Sequence, residues 1–104
     1  MMIARWHAHA RFGHKQEAIA LMKEWNEQIG SQTNLDVAGQ RIITGSVGAN
    51  EALIESEMQI AGLDELQTFF DKIALIQMHA DWGKRMGEVI VSGSTHWQVF
   101  RIIE

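Results

Sequence analysis

Two histidines and two arginines alternate with other residues near the start of the chain. In the segment IARWHAHARF, residues 3–12, the polar positions are Arg5, His7, His9 and Arg11. Because successive side chains of a β-strand point to opposite faces, these four side chains would share one face. Imidazole groups titrate near neutral pH and also bind metal ions. The pattern therefore predicts a strand whose polar face takes part in binding or catalysis.

Two glutamates alternate in the same way along a later segment, residues 52–60. Glu55 and Glu57 there share one face of a predicted strand. If this strand is an antiparallel neighbour of the first, its carboxylates could lie beside His7 and His9. Imidazoles and carboxylates together suit zinc, iron or manganese. Any divalent metal would therefore be held by these four residues, although the sequence alone commits to no metal and no other cofactor.

The same residues support two interpretations without a metal. In the first, Arg5 and Arg11 form a ladder of ion pairs with the glutamates, and the histidines are hydrogen-bonded among them. In the second, His7 or His9 is a general base whose tautomer a glutamate fixes, and Arg5 stabilises an oxyanion or enolate. The candidate catalytic residues are His7, His9 and Glu57, and the candidate ligand-binding residues on these strands are Arg5 and Glu55.

The composition is that of a single soluble domain covering residues 1–104. Hydrophobic residues make up 46% of the chain, charged residues 21%, and the net charge is −4. A negative chain is a poor partner for nucleic acid or an anionic membrane. The chain has no cysteine, which excludes disulfides and thiolate chemistry and fits a reducing compartment. No apolar run approaches the ~20 residues of a membrane helix, and the first residues lack a signal-peptide core. We therefore expect a cytoplasmic protein.

The spacing of apolar residues predicts the elements that carry these side chains. Apolar positions recur at helical spacing over residues 15–29, and again from about residue 63 to residue 89 with a bend near residues 79–83. Residues 31–39 are polar and bounded by glycine, which predicts a loop. Residues 41–47 and 52–60 predict a hairpin in which Gly45 marks a bulge or a close contact. Residues 95–103 predict a final strand.

The resulting order, βαββαβ, is the α+β ferredoxin-like pattern. Such a chain forms an antiparallel sheet ordered 4-1-3-2, with the first strand in the centre and both helices on one face. Two helices cover only one face, so the other face needs a partner or water. The polar face also carries Ile3 and Leu53 among its charges. This mixture is compatible with a homodimer in which two sheets face each other.

At this level the chain resembles the dimeric α/β-barrel superfamily. The resemblance covers nearly the whole length and rests on the element order, the segment ALIESEM followed by AGLDELQTFF, the segment HADWGKRMGEVI and the closing SGSTHWQVFRI. The chain is most similar to small NIPSNAP-like or stress-responsive members. The superfamily also contains cofactor-free quinone-forming monooxygenases, heme-degrading monooxygenases, muconolactone isomerase and chlorite dismutase. The resemblance implies a dimer whose sheets enclose a lumen, with ligand often lying between sheet and helices.

The resemblance adds His79 and Trp82 as candidate ligand-binding residues. They lie in the helical region where the heme-degrading relatives carry a histidine and a tryptophan. Those relatives also use an asparagine on the first strand, which this chain lacks, and this difference disfavours heme. Packing at helical spacing is the alternative interpretation for Trp82. Core packing is also the interpretation for four other aromatic residues: Trp6, Trp25, Phe69 and Phe70.

Together these observations predict a small homodimer that binds or transforms a small organic molecule in a polar lumen. As an enzyme it would be a cofactor-free monooxygenase or an isomerase that uses the His/Glu/Arg cluster. One alternative is a ligand-binding or stress-response dimer without catalysis, in which the charges are structural. A further alternative, implied only by the resemblance, is a heme-binding or heme-degrading monooxygenase.

Overall fold

The computed structural model describes residues 1–36 and 39–104. The elements are β1 (Met2–His9), α1 (Lys15–Gln28), a short 3-10 helix (Gly30–Gln32), β2 (Arg41–Thr44), β3 (Leu53–Ile60), α2 (Leu63–Ile73), α3 (Gln77–Gly87) and β4 (His96–Arg101). The predicted α+β order is confirmed, with the last helix divided in two. The predicted loop over residues 31–39 begins with the 3-10 turn and includes Val37 and Ala38, which lie outside the described residues.

The four strands form one antiparallel sheet in the order β2-β3-β1-β4. This is the predicted 4-1-3-2 order, with β1 in the centre. Its register places Arg5 opposite Glu57 and His7 opposite Glu55. On the other side of β1, His7 is opposite His96. Directly opposed residues share a face, so one face of the sheet carries this whole polar set.

The opposite face of the sheet packs against the helices. Ala4 and Ala8 on β1, and Ile54 and Ile60 on β3, have no exposed surface and belong to the same core cluster as the apolar residues of the helices. The alternation of the two strands therefore has the predicted sense, with apolar residues inward. The small alanines on the central strand leave room for larger side chains from the helices. No helix in the described part of the chain has the length and apolarity needed to cross a membrane.

Several elements end earlier than the periodicity predicted. β2 ends at Thr44 rather than residue 47, and β4 ends at Arg101 rather than residue 103. β1 stops at His9, and Phe12 is fully exposed rather than on the apolar face. A turn ends the strand, because Gly13 has a φ of 83° and the His14 N–H donates to the Arg11 carbonyl at 2.9 Å. The break in the last helical region lies between Ile73 and Gln77, not near residues 79–83.

Candidate functional site

The polar residues predicted from the two alternating strands come together on the sheet face without helices, here called the outer face. Glu57 is at its centre and is 4% exposed. The Arg5 Nη2 atom donates to its Oε1 at 2.6 Å, and the Arg41 Nε atom donates to its Oε2 at 2.9 Å. Hydrogen bonds from Arg41 and then from Arg5 hold the pKa of Glu57 below its usual value. Glu57 is therefore an anion fixed between two guanidinium groups.

Glu55 is bound less completely. The Arg5 Nε atom lies 3.1 Å from its Oε2, but the N–H of that atom is directed to Glu57, so Glu55 Oε2 is buried without a hydrogen bond. His7 Nδ1 lies 3.7 Å from Glu55 Oε1, which is too long for a hydrogen bond. Burial, and secondly the neighbouring His96, lower the pKa of His7. The predicted ladder of ion pairs is thus present for Arg5 but not for Arg11, whose Nε donates to the Ile90 carbonyl at 2.8 Å.

The histidine rings of the outer face lie close together, and two of them are stacked. His7 and His96 have ring centroids 4.1 Å apart and an interplanar angle of 26°, and His9 is 5.1 Å from His7. Stacked rings direct their nitrogen atoms side by side rather than towards a shared point. Within residues 1–36 and 39–104, no group of three or more His, Cys, Asp or Glu residues is arranged to hold a metal ion. His96 was missed from the sequence because the face of the last strand could not be assigned.

His79 and Trp82 lie on the other side of the sheet, beside a cavity of about 250 Å³ between the sheet and the helices. We call it the aromatic cavity. Its lining residues are Trp6, Met22, Trp25, Asn26, Gln40, Ser56, Met58, Phe69, Phe70, Ile73, His79, Trp82, Gly83 and Trp97. The candidate residues therefore form two separate groups, because the sheet lies between the outer face and this cavity.

Few polar groups line the aromatic cavity, and most of them are paired. The Trp25 indole N–H donates to His79 Nδ1 at 3.0 Å, and the Trp82 indole N–H donates to the Leu21 carbonyl at 2.6 Å. Burial lowers the pKa of His79. The Gln40 side-chain amide donates to the Ser56 hydroxyl oxygen at 2.5 Å. That bond leaves the Ser56 hydroxyl proton for another acceptor.

The sequence did not separate cavity-lining aromatic residues from packed ones. Trp6, Trp25, Phe69 and Phe70 were predicted to be core residues, and they do belong to the core or pack against it. They also border the aromatic cavity, as does Trp97 from β4. The spacing of apolar residues along a helix or strand is the same whether their side chains pack against other side chains or border a cavity. The concentration of tryptophan was the only signal in the sequence.

No protein-family model and no curated protein matches the sequence. Solved structures do match it. A NIPSNAP family protein from Agrobacterium tumefaciens has a TM-score of 0.76 at 20% identity, over 99% of this chain and 93% of that one. A Caulobacter crescentus protein, provisionally assigned as an antibiotic biosynthesis monooxygenase, has a TM-score of 0.68 at 12% identity, over 99% and 90% of the two chains.

A third match is described as a dimeric protein of ferredoxin-like fold from Bacteroides fragilis. It has a TM-score of 0.55 at 15% identity, over 97% of this chain and 96% of that one. At these identities the likeness shows the fold alone. The predicted resemblance to NIPSNAP-like and monooxygenase-like proteins of ferredoxin-like fold is confirmed at that level.

Proposed function

We propose that this protein binds a small planar organic molecule of one or two fused rings in the aromatic cavity. The observation that carries the proposal is a space of about 250 Å³ between sheet and helices, bordered by four tryptophans and two phenylalanines. Binding cavities are mostly apolar, with a few placed polar groups, and those for drug-sized ligands begin at about 300 Å³. Aromatic side chains favour flat ligands through offset or edge-to-face contacts. A smaller, flat molecule therefore fits this space.

Polar groups at the cavity wall orient the proposed ligand. Ser56 is 7% exposed, and its hydroxyl proton is available once Gln40 occupies the hydroxyl oxygen. His79 offers its second ring nitrogen, because the first accepts from Trp25. A ligand with one oxygen substituent can satisfy one of these groups, whereas a hydrocarbon leaves both unpaired at a cost of about 1–3 kcal/mol for a buried group.

Calorimetric titration with 1-naphthol tests the binding proposal. Ser56→Met places a longer apolar side chain in the cavity, and we expect it to weaken binding at least about tenfold, or 1.4 kcal/mol. Ser46→Met is the matched control, since Ser46 is exposed in the hairpin loop. If the wild type releases no heat of binding, or if Ser56→Met binds as tightly as Ser46→Met, the aromatic cavity is not the binding site.

A cofactor-free monooxygenase is the second candidate function. The likeness to the Caulobacter crescentus protein favours it. In such a reaction one oxygen atom of O₂ enters 1-naphthol to give 1,4-naphthoquinone, and the other leaves as water with two ligand hydrogens. We assign the catalytic role to His79 rather than to His7, His9 or Glu57, because only His79 borders the cavity.

Oxygen uptake with isotope-labelled O₂ tests this second function. We expect one labelled oxygen atom in the quinone and no uptake by His79→Phe, which keeps a ring in the same place. Binding of 1-naphthol without uptake would leave a binding protein that is not a monooxygenase.

We also propose that two copies associate through their outer faces. Ile43 and Phe100 lie on this face and are 39% and 43% exposed. Helices cover only the other face of the sheet, so this apolar surface meets water in a single chain. A solved structure of the same fold is described as dimeric. The polar cluster around Glu57 would then lie between the two sheets, where the formal charges of two arginines and two glutamates sum to zero.

A further inference from the structure

The hydrogen bond between Trp25 and His79 fixes which ring nitrogen of His79 carries a proton. An indole N–H is only a donor, and it meets His79 Nδ1 at 3.0 Å. Nδ1 must therefore be an unprotonated acceptor. A neutral imidazole has one N–H, so the proton is on Nε2. A charged imidazolium would place two donors against each other and lose this bond.

A second tryptophan lies beside the His79 ring without a hydrogen bond to it. Trp82 is nearly parallel to His79, with an interplanar angle of 16° and ring centroids 6.0 Å apart. Its own indole N–H is bonded to the Leu21 carbonyl on α1 at 2.6 Å. The tautomer of His79 is therefore set by Trp25 and not by Trp82.

The remaining nitrogen of His79 has no hydrogen-bond partner in the described part of the chain. Among residues 1–36 and 39–104, His79 Nε2 makes no hydrogen bond, and it is not one of the fully buried unpaired atoms. His79 is partly exposed and borders the aromatic cavity. Its N–H is therefore available to a molecule that enters the cavity.

We propose that Trp25 is a positioning residue that holds His79 as an Nε2–H donor, and that this donor selects ligands bearing an acceptor oxygen over ligands of the same shape without one. This inference rests on the proposed binding function. It assigns His79 the role of hydrogen-bond donor to the ligand and makes Trp25 a determinant of specificity. If His79 could switch tautomer, it would bind ligands with a hydrogen-bond donor as well as ligands with an acceptor.

Nitrogen NMR of the ligand-free protein tests the tautomer directly. We expect protonated Nε2, unprotonated Nδ1, and a scalar coupling across the hydrogen bond between Trp25 Nε1 and His79 Nδ1. Trp82→Phe is the matched control, because it removes an indole N–H that is bonded elsewhere, and it should keep the coupling. A protonated Nδ1, or a wild-type spectrum without the coupling, overturns the proposal whether or not any ligand binds.

Binding selectivity tests the consequence. The probes are 1-tetralone, which has one carbonyl acceptor and no donor, and tetralin, which has the same rings and no oxygen. We expect the ratio of their affinities to fall about fivefold in His79→Phe, the value of one ordinary hydrogen bond, and to fall part of the way in Trp25→Phe. Phe12→Leu, at a fully exposed ring outside the cavity, is the control and should keep the wild-type ratio.

Two results separate this inference from the proposed function. If both probes bind but the ratio is unchanged in His79→Phe, the donor role is wrong and the cavity remains a binding site. If neither probe nor 1-naphthol binds the wild type, the proposed function and the selection both fail, and only the measured tautomer stands.

Discussion

Glu57 is a buried charge on a sheet face that no helix covers. Its burial comes from the side chains of Arg5 and Arg41, which lie against both carboxylate oxygens. A charge can be buried at tolerable cost only when its oxygens are paired and hydrogen-bonded. The cluster is therefore a unit, in which the loss of one member leaves the others without compensation.

Glu57→Gln should lower the free energy of unfolding by about 2 kcal/mol. The amide keeps the shape but leaves Arg5 without its short charged bond, and Arg41 adds less because it is 70% exposed. Urea denaturation measures the effect, and Glu51→Gln in the exposed hairpin loop is the control. Equal stability of the two variants would show that the buried pair contributes nothing.

The lowered pKa of Glu57 makes the free energy of unfolding depend on pH. Arg41 and Arg5 lower the folded-state pKa of Glu57 from its usual 4.5, so the folded state holds this proton less readily than the unfolded chain does. The stabilisation is complete above pH 4.5 and is lost as the pH falls through the lowered folded-state value. The slope of stability against pH in this acid range should be smaller in Glu57→Gln than in the wild type.

Residue pairs could be predicted only where strand alternation was enough. Shared parity correctly placed Arg5, His7, Glu55 and Glu57 on one face. It could not reveal Arg41, because the register of a strand follows from turn geometry and from burial of the whole sheet. It also could not show that the His7 ring stacks on the His96 ring of β4.

At the scale of elements, the β2–β3 hairpin depends on a close approach at one glycine. A Cβ atom added to Gly45 would lie 1.8 Å from the Asn50 carbonyl oxygen. The Gly45 N–H is also bonded to the Leu53 carbonyl at 3.1 Å. The two ends of the connection are thus in contact through backbone atoms, which is the second of the two alternatives, bulge or close contact, predicted for Gly45.

Gly45→Ala should destabilise the protein by about 2 kcal/mol, since a rigid backbone atom occupies the space of the new methyl group. Gly83→Ala is the matched control with the opposite sign. Gly83 lies in α3, has free space around it, and should gain up to about 1 kcal/mol from alanine's helix propensity. Thermal unfolding of both variants checks this, and a stable Gly45→Ala variant would contradict the contact.

The spacing of apolar residues predicted the helices but not the position of the break between α2 and α3. Ile76 adopts an extended conformation, with φ −96° and ψ 109°, and packs against the core while Leu75 is exposed. Tertiary packing of Ile76 thus interrupts a segment whose local pattern is continuous. The short break sets where α3 begins, and α3 carries both His79 and Trp82.

The two faces of the sheet divide the whole molecule into two environments. The inner face and the helices enclose the aromatic cavity, and the outer face presents paired charges together with exposed apolar residues. The sequence predicted this division through the alternation of β1 and β3. The alternation did not predict the cavity, because the space depends on how three helices and the sheet pack together in three dimensions. Only the resemblance implied a ligand between sheet and helices.

The proposed association through the outer face is tested by a substitution on that face. Phe100→Glu should shift the protein from dimer to monomer, because it places a negative charge on the outer face and removes the ring under Arg5, whose Cζ is 4.9 Å from its centroid. Native mass spectrometry at matched concentration measures the shift. Val47→Glu is the control, since Val47 is more exposed than Phe100 but lies in the hairpin loop. A monomeric wild type, or a dimer unaffected by Phe100→Glu, would mean that water covers this face.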